Sequence, residues 1–222
     1  MHSPTRRSKG REPPPTTGRS PKASRGKAIA ASSLADLRER VDTAASLLTE
    51  VGNHHQLANL LTDAAYAALC LGSERDAVEF AARATPLTLE LDSRYVRMIN
   101  SGSLGLAALL TGEPDTASRA FREELTLCRD TVVRPVAFEG LRGLAAIAVA
   151  DGDAKRAGTL VGAADAYRYD RPQDPVEAKL ESTFFAPART RYGTDAWNAA
   201  AREGQALTFD AAIAYALEEP PA

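Results

Sequence analysis

Apolar side chains recur every three to four residues through most of the chain that follows Ser33. The clearest case is the stretch 55–70, whose apolar positions follow the order i, i+3, i+4, i+7, i+8, i+11 and i+12. These positions are Leu57, Leu60, Leu61, Ala64, Ala65, Ala68 and Leu69. The spacing places them on one face of an α-helix, which turns once in about 3.6 residues. No stretch shows sustained alternation of apolar and polar residues, so the sequence predicts an all-α fold without strands.

A glycine recurs at a constant interval, at positions 72, 112 and 152, and divides the helical pattern into repeats. Each glycine is followed by an alanine at the fifth position after it. The pairs are Gly72 and Ala77, Gly112 and Ala117, and Gly152 and Ala157. Glycine adopts at low cost the left-handed conformation that ends a helix, and the small alanine lets two helices cross closely. This pattern is typical of tetratricopeptide-like hairpins, and it predicts an α-solenoid of antiparallel helical hairpins.

The breaks between the apolar stripes give the expected bounds of the helices. Helices are predicted near 34–50, 55–70, 74–91, 94–111, 114–130, 135–150 and 153–169, and then near 176–191, 194–204 and 208–218. The side chain of Ser33 is expected to cap the first of them. The chain is thereby divided into a basic tail at residues 1–33, helical repeats at 34–169 and C-terminal capping helices at 176–218.

The net charge of −2 conceals the basic character of the N-terminal tail. Residues 1–33 carry eight Lys and Arg residues against Glu12 alone, a net charge of +7, whereas the remainder carries 19 basic and 28 acidic residues. Large apolar residues are almost missing from the tail, so it cannot offset the entropy of ordering, and we expect it to be disordered. Two interpretations remain open: a basic arm that binds nucleic acid or an acidic partner, or a solvated extension.

The cysteines and the hydropathy pattern favour a cytoplasmic protein. Cys70 and Cys128 are the only cysteines, and both fall among apolar residues, where a reduced thiol packs as a small apolar side chain. The N-terminus lacks the apolar core of a secretory signal. No apolar run approaches the roughly 18–20 residues that span a bilayer, so no membrane association is expected.

The region after the last repeat glycine carries a recognisable pattern. Residues 156–166 read Arg-Ala-Gly-Thr-Leu-Val-Gly-Ala-Ala-Asp-Ala, with Asp-Ala-Trp at 195–197 and Glu-Gly-Gln-Ala-Leu-Thr-Phe-Asp at 203–210. This resembles the C-terminal tetratricopeptide-repeat region of bacterial ATPase-linked transcriptional regulators of the LuxR and AfsR/SARP types. The resemblance extends over residues 55–218. It implies the sensor or scaffold part of such a regulator, either as a stand-alone protein or as a split-off part.

The parts of those regulators that hydrolyse ATP or read DNA are not carried over by the resemblance. The sequence contains no Gly-x-x-x-x-Gly-Lys-Ser/Thr loop for nucleotide phosphates, and no helix-turn-helix pattern follows Leu217. We therefore expect neither ATP hydrolysis nor DNA recognition of the kind that these regulators perform.

No group of residues predicts catalysis, a cofactor or a metal. His54 and His55 are adjacent, so their side chains diverge by about 100° on a helix and do not form an i, i+4 ligand pair. Glu139 and Arg142 are expected to form an ion pair on the surface. Trp197, the single tryptophan, is expected to pack the last helices onto the end of the array. We therefore expect a protein that is not an enzyme.

The remaining hypothesis is a binding groove on the inner side of the solenoid. In such folds one helix of each hairpin lines a concave surface that accepts proteins or peptides. The residues expected to face it are Tyr66, Tyr95, Arg97 and Asn100. The arginines of these helices are interpreted either as a clamp for peptide carboxylates or as solvent-facing charges. The sequence leaves the partner and the oligomeric state open.

Overall fold

The computed structural model describes residues 31–129, 134–168 and 173–218, and no β-strand occurs within these ranges. Residues 1–30 of the basic tail lie outside them. The helices are α1 (Leu34–Glu50), α2 (His54–Cys70), α3 (Glu74–Glu90), α4 (Arg94–Leu110), α5 (Pro114–Arg129), α6 (Ala137–Ala150), α7 (Ala154–Ala166), α8 (Pro175–Leu180), α9 (Ala186–Tyr192), α10 (Thr194–Gln205) and α11 (Phe209–Leu217). A 3₁₀ turn, Arg134–Val136, precedes α6, and a π turn, Glu181–Phe185, joins α8 to α9. The predicted all-α fold is confirmed.

The glycine repeat consists of two smaller units, each of which contains one helix and one turn. Helices α1 to α4 are each 17 residues long. Their first residues are evenly spaced in the sequence, at Leu34, His54, Glu74 and Arg94. Turn residues with positive φ follow the same interval at Gly52, Gly72, Asp92 and Gly112, and Gly152 lies two such intervals after Gly112. After α2, for example, the amide of Ser73 donates to the carbonyl of Ala68 at 2.9 Å, which satisfies a carbonyl that the ending helix would leave exposed.

The helices form two layers. The inner layer consists of α2, α4 and α6, which contact one another in that order, and the outer layer consists of α1, α3, α5 and α7. Arg38 of α1 pairs with the buried carboxylate of Asp76 in α3, and Arg83 of α3 with Asp42 of α1 at 3.2 Å. The alanines that follow the repeat glycines are fully buried where the two layers meet. Small residues at these crossings therefore let the layers approach closely.

Four glycines in the inner layer make room for α5. A Cβ atom at Gly102 or Gly105 of α4 would lie 2.7 Å from Glu124 or 2.6 Å from Phe121, both on α5. Gly140 and Gly143 of α6 approach the same helix, and a Cβ atom at Gly143 would overlap the ring of Phe121. The Phe121 ring thus fills a slot that exists only because α4 and α6 carry no side chain there.

The C-terminal helices close the far end of the array. Helix α10 packs on α7 so closely that a Cβ atom at Gly162 would overlap the backbone carbonyl of Ala201. Trp197 is buried at this crossing, as the sequence predicts. Helix α11 packs against α5, where Arg122 donates to the carbonyl of Leu217 at 2.7 Å. Arg156 of α7 donates to carbonyls of the same helix end.

Candidate functional site at the inner face

Two of the four predicted groove residues lie inside the protein. The side chain of Tyr66 is buried, and its hydroxyl donates to a carboxylate oxygen of Asp174 at 2.5 Å. Burial, with the nearby carboxylates of Glu139 and Asp174, raises the pKa of Tyr66 well above its ordinary value. Asn100 is also buried, and its amide donates to the carbonyl of Ala81 at 3.2 Å. Tyr66 and Asn100 thus join elements of the chain itself.

The other two predicted residues lie together at the start of α4. Tyr95 is 42% exposed, and Arg97 donates through Nε to Glu123 of α5 at 2.6 Å. A pocket of about 240 Å³ opens beside Arg97. Its lining residues are Thr88, Leu89, Asp92, Ser93, Arg94, Arg97 and Leu127. The structure therefore places Tyr95 and Arg97 near the turn between α3 and α4, where their side chains reach the surface, whereas Tyr66 and Asn100 are buried.

Residues 173–192, here called the strap, cover part of the inner layer. The strap comprises α8, the π turn and α9, and it contacts both α2 and α6. At α2 it is held by the hydrogen bond between Tyr66 and Asp174. Lys179 of the strap also pairs with Glu74, the first residue of α3. The strap therefore reaches from the end of the array near α6 and α7 back to α2 and the start of α3.

Three carboxylates of the strap each meet a donor. Asp174 accepts from Tyr66, Glu177 pairs with Arg168 at 3.1 Å, and Glu181 lies 3.6 Å from Arg142 of α6. Arg189 of α9 also pairs with Glu181 at 3.0 Å. Carboxylate partners of this kind stabilise buried or half-buried cations because the charges compensate one another where water is excluded.

Arg142 is the central cation of this arrangement. Its guanidinium lies 5.4 Å from the ring centre of Phe138 and 4.8 Å from that of Phe185, and it is 3.5 Å from Asp165 of α7. Burial lowers the pKa of Arg142, and the carboxylates around it oppose that shift. Burial likewise raises the pKa of Asp165, although Arg142 acts in the opposite direction.

The expected surface pair between Glu139 and Arg142 is therefore wrong. Both residues are buried, with 4% and 6% of their surfaces exposed. The spacing of i and i+3 placed them correctly on one helix, but the sequence did not show that the strap covers this helix. The arginines of the inner helices were interpreted either as a clamp for peptide carboxylates or as solvent-facing charges. Arg142 does contact carboxylates, but they are those of Asp165 and Glu181 of the same chain.

Residues 31–129, 134–168 and 173–218 contain neither a candidate metal-binding group nor a helix that could span a membrane. In these ranges no three His, Cys, Asp or Glu side chains are grouped so that they could hold a metal ion. None of the helices described there combines the length and the apolar character needed to cross a bilayer.

Comparisons with known proteins find no match for this chain. No protein-family model matches the chain. No curated protein matches it. No solved structure matches it.

Proposed function

We propose that the chain is a non-enzymatic protein-interaction or sensor module of the cytoplasm, and that it is part of, or derived from, a bacterial transcriptional regulator. The observation that carries the interaction role is the exposed edge at the turn between α3 and α4. Leu89, which is 55% exposed, lines the pocket together with Arg94 and Arg97, and Tyr95, which is 42% exposed, follows Arg94 on the same helix. Large exposed apolar side chains grouped around a pocket are typical of interaction surfaces.

The chemistry of this edge fits a protein or peptide partner. Tyrosine and arginine are among the residues that most often dominate binding energy in interfaces. Leu89 and Leu127 offer apolar contact, and Arg94 adds a cationic group at the rim. A partner segment with an apolar side chain next to a carboxylate complements this combination.

A matched pair of variants tests the edge. A partner is first captured from the native organism by affinity purification and identified by mass spectrometry. Its affinity is then measured for Tyr95→Ala, which should weaken binding about tenfold or more because an exposed aromatic anchor is lost. Glu113→Ala, an exposed position in the turn at the opposite end of α4, serves as the control and should bind as the unchanged chain does. Equal affinity of Tyr95→Ala and Glu113→Ala would contradict the proposed edge.

The link to a transcriptional regulator rests on the C-terminal sequence pattern, in which glycines support a close helix crossing. Gly158, Gly162 and Gly204 all lie at the contact between α7 and α10. Genomic context tests the link: a neighbouring reading frame for an ATPase or a DNA-binding activator is expected, and its product should co-purify with this chain. A neighbourhood of unrelated metabolic genes, together with no co-purification, would remove this part of the proposal.

A second candidate function follows from the charge of +7 in residues 1–33. A basic arm of this kind binds nucleic acid through phosphate contacts, and the affinity then falls steeply with salt. Removal of residues 1–30 should abolish retention on DNA at low salt. If the shortened chain and the full chain bind DNA equally, the arm has no such role.

A further inference from the structure

The strap presents a regular pattern of acidic residues to the array. Asp174, Glu177 and Glu181 are spaced as i, i+3 and i+7, which places them along one side of a helix. Asp174 also caps α8, because its Oδ1 accepts from the amide of Glu177 at 2.9 Å. One short helical segment therefore offers three carboxylates in a row.

The same segment carries an apolar stripe. Val176 and Leu180, spaced as i and i+4, are each 2% exposed and pack into the core. Lys179 lies between them in sequence and pairs with Glu74 of α3. The segment from 174 to 181 is thus an acidic amphipathic helix seated on the array by apolar anchors and by charge-assisted contacts.

The array holds the complementary groups in place through contacts of its own. Arg142 is fixed by Asp165 of α7 at 3.5 Å and by the ring of Phe138 on its own helix. Tyr66 lies on α2, and Arg168 follows α7 directly. A phenol hydroxyl and two guanidinium groups on separate elements therefore face the three carboxylates, which is the arrangement that recognises an acidic helix.

The seated segment has the features of an exchangeable occupant. Helix α8 has only six residues, and a helix of that length is not stable without the surface on which it packs. The contacts at its two ends, to Tyr66 and to Glu74, are polar. The chain after residue 193 is anchored independently by the close packing of α10 on α7.

We propose that the inner face is a binding site for an acidic amphipathic helix of a partner protein, and that residues 173–181 occupy this site within the chain until such a helix displaces them. The partner helix carries carboxylates at i, i+3 and i+7 and apolar residues at i+2 and i+6. The proposal rests on the proposed interaction function, but it concerns a different surface from the edge at Leu89 and Tyr95.

A labelled peptide with the sequence of residues 173–187 tests the site. The host is the full chain with Asp174→Asn, Glu177→Gln and Glu181→Gln, which weakens the resident segment. Fluorescence anisotropy should show the peptide binding this variant about tenfold or more tightly than it binds the unchanged chain, since the competing carboxylates are gone. A peptide with the same three substitutions should bind at least about tenfold more weakly.

Single substitutions in the host chain identify the surface that binds the peptide. Tyr66→Phe removes the hydroxyl donor with little change in volume and should weaken peptide binding. Gln56→Ala, at an exposed position near the opposite end of α2, should not. A folded triple variant that does not bind the peptide would overturn the proposal, whatever the outcome for Tyr95→Ala with its own partner.

Hydrogen exchange on the unchanged chain gives a second test if the triple variant does not fold. Addition of unlabelled peptide at about 1 mM should increase exchange of the amides of 175–181 while α2 and α6 stay protected. Unchanged exchange of 175–181 under these conditions would overturn the proposal.

Discussion

The hairpin array and the strap are held in place by different kinds of contact. In the array, units of one helix and one turn meet through small residues and left-handed turns, and neighbours in sequence are neighbours in space. The strap joins residues that are far apart in sequence, such as Tyr66 and Asp174, through partly buried polar pairs in addition to its apolar anchors. The comparison shows that one chain combines a locally determined scaffold with a segment whose position depends on long-range charge and hydrogen-bond partners.

The largest effect is expected at the junction of array and C-terminal helices. Gly162→Ala places a methyl group on the backbone carbonyl of Ala201, which cannot rotate away, so α10 must move off α7. We expect a loss of about 3 kcal/mol in the free energy of unfolding, measured by urea denaturation. The fluorescence of Trp197, the single tryptophan, should shift to longer wavelength because this residue is buried at the crossing.

Two further substitutions calibrate that result. Gly143→Ala in the array crowds the ring of Phe121, which is a side chain and not backbone, so a smaller loss of about 2 kcal/mol is expected, without the shift in tryptophan fluorescence. Ala199→Ser on the exposed side of α10 should change stability by less than about 0.5 kcal/mol. Equal losses for Gly162→Ala and Ala199→Ser would contradict the close crossing.

A medium effect is expected at the turns that give the array its interval. Asp92 is the non-glycine residue in the series, with φ of 47°, and the equivalent Gly112 has φ of 83°. Asp92→Gly should raise the free energy of unfolding by about 0.5 to 1 kcal/mol, and Gly112→Asp should lower it by about 1 kcal/mol, because a side chain strains the left-handed conformation. Thermal denaturation of both variants measures the difference. If both changes act in the same direction, the turns are not equivalent.

The smallest effect concerns the pH dependence of the strap contact at α3. The ammonium of Lys179 donates to Glu74 and lowers the pKa of Glu74 below its ordinary value of 4.5. The stabilisation is therefore complete above about pH 4.5 and is lost as the pH falls through the lower pKa of the folded state. Glu74→Gln should remove this pH-dependent contribution to the free energy of unfolding, which is at most about 0.5 kcal/mol for a partly exposed pair.

The measurement for Glu74 is the difference between two stability curves. Urea unfolding of the unchanged chain and of Glu74→Gln is followed from about pH 7 to about pH 3. The raised pKa of Asp165 acts in the opposite direction in the same range, since acid favours its protonated folded form, but this contribution cancels in the difference. A difference that does not change with pH would exclude a role for the pair between Glu74 and Lys179.

The sequence predicts what depends on nearby residues. Helical periodicity and the turn glycines give the bounds of α1 to α7 to within three residues, and Ser33 caps α1 by accepting from the amide of Asp36 at 3.2 Å. The single helix predicted at 176–191 is wrong, because the structure divides this stretch into α8, a π turn and α9. These features are local, because a cap or a stripe is complete within a few residues. The sequence also predicts the burial of Trp197, since other aromatic residues, such as Phe185 and Phe209, lie near it in the chain.

The site depends on contacts that no local pattern reveals. Tyr66 and Asp174 are separated by 108 positions, and nothing in the periodicity of α2 shows that a later segment crosses it. Tyr66 and Asn100 were therefore expected to face a groove, and the pair of Glu139 and Arg142 was expected on the surface. The acidic spacing of 174, 177 and 181 was the signal in the sequence that could have indicated a segment complementary to an arginine-lined surface.

The length of the strap matches the number of hairpins that it spans. It contacts α2 at one end and is joined to α7 and α10 at the other, so its length must match the distance between these helices. An inserted hairpin would separate these anchors by about 10 Å, the spacing of packed helices, and would break the contacts of Tyr66 and Glu74. Whereas open repeat arrays gain and lose units during evolution, this chain keeps the contacts of Tyr66 and Glu74 after such a change only if the strap changes length at the same time.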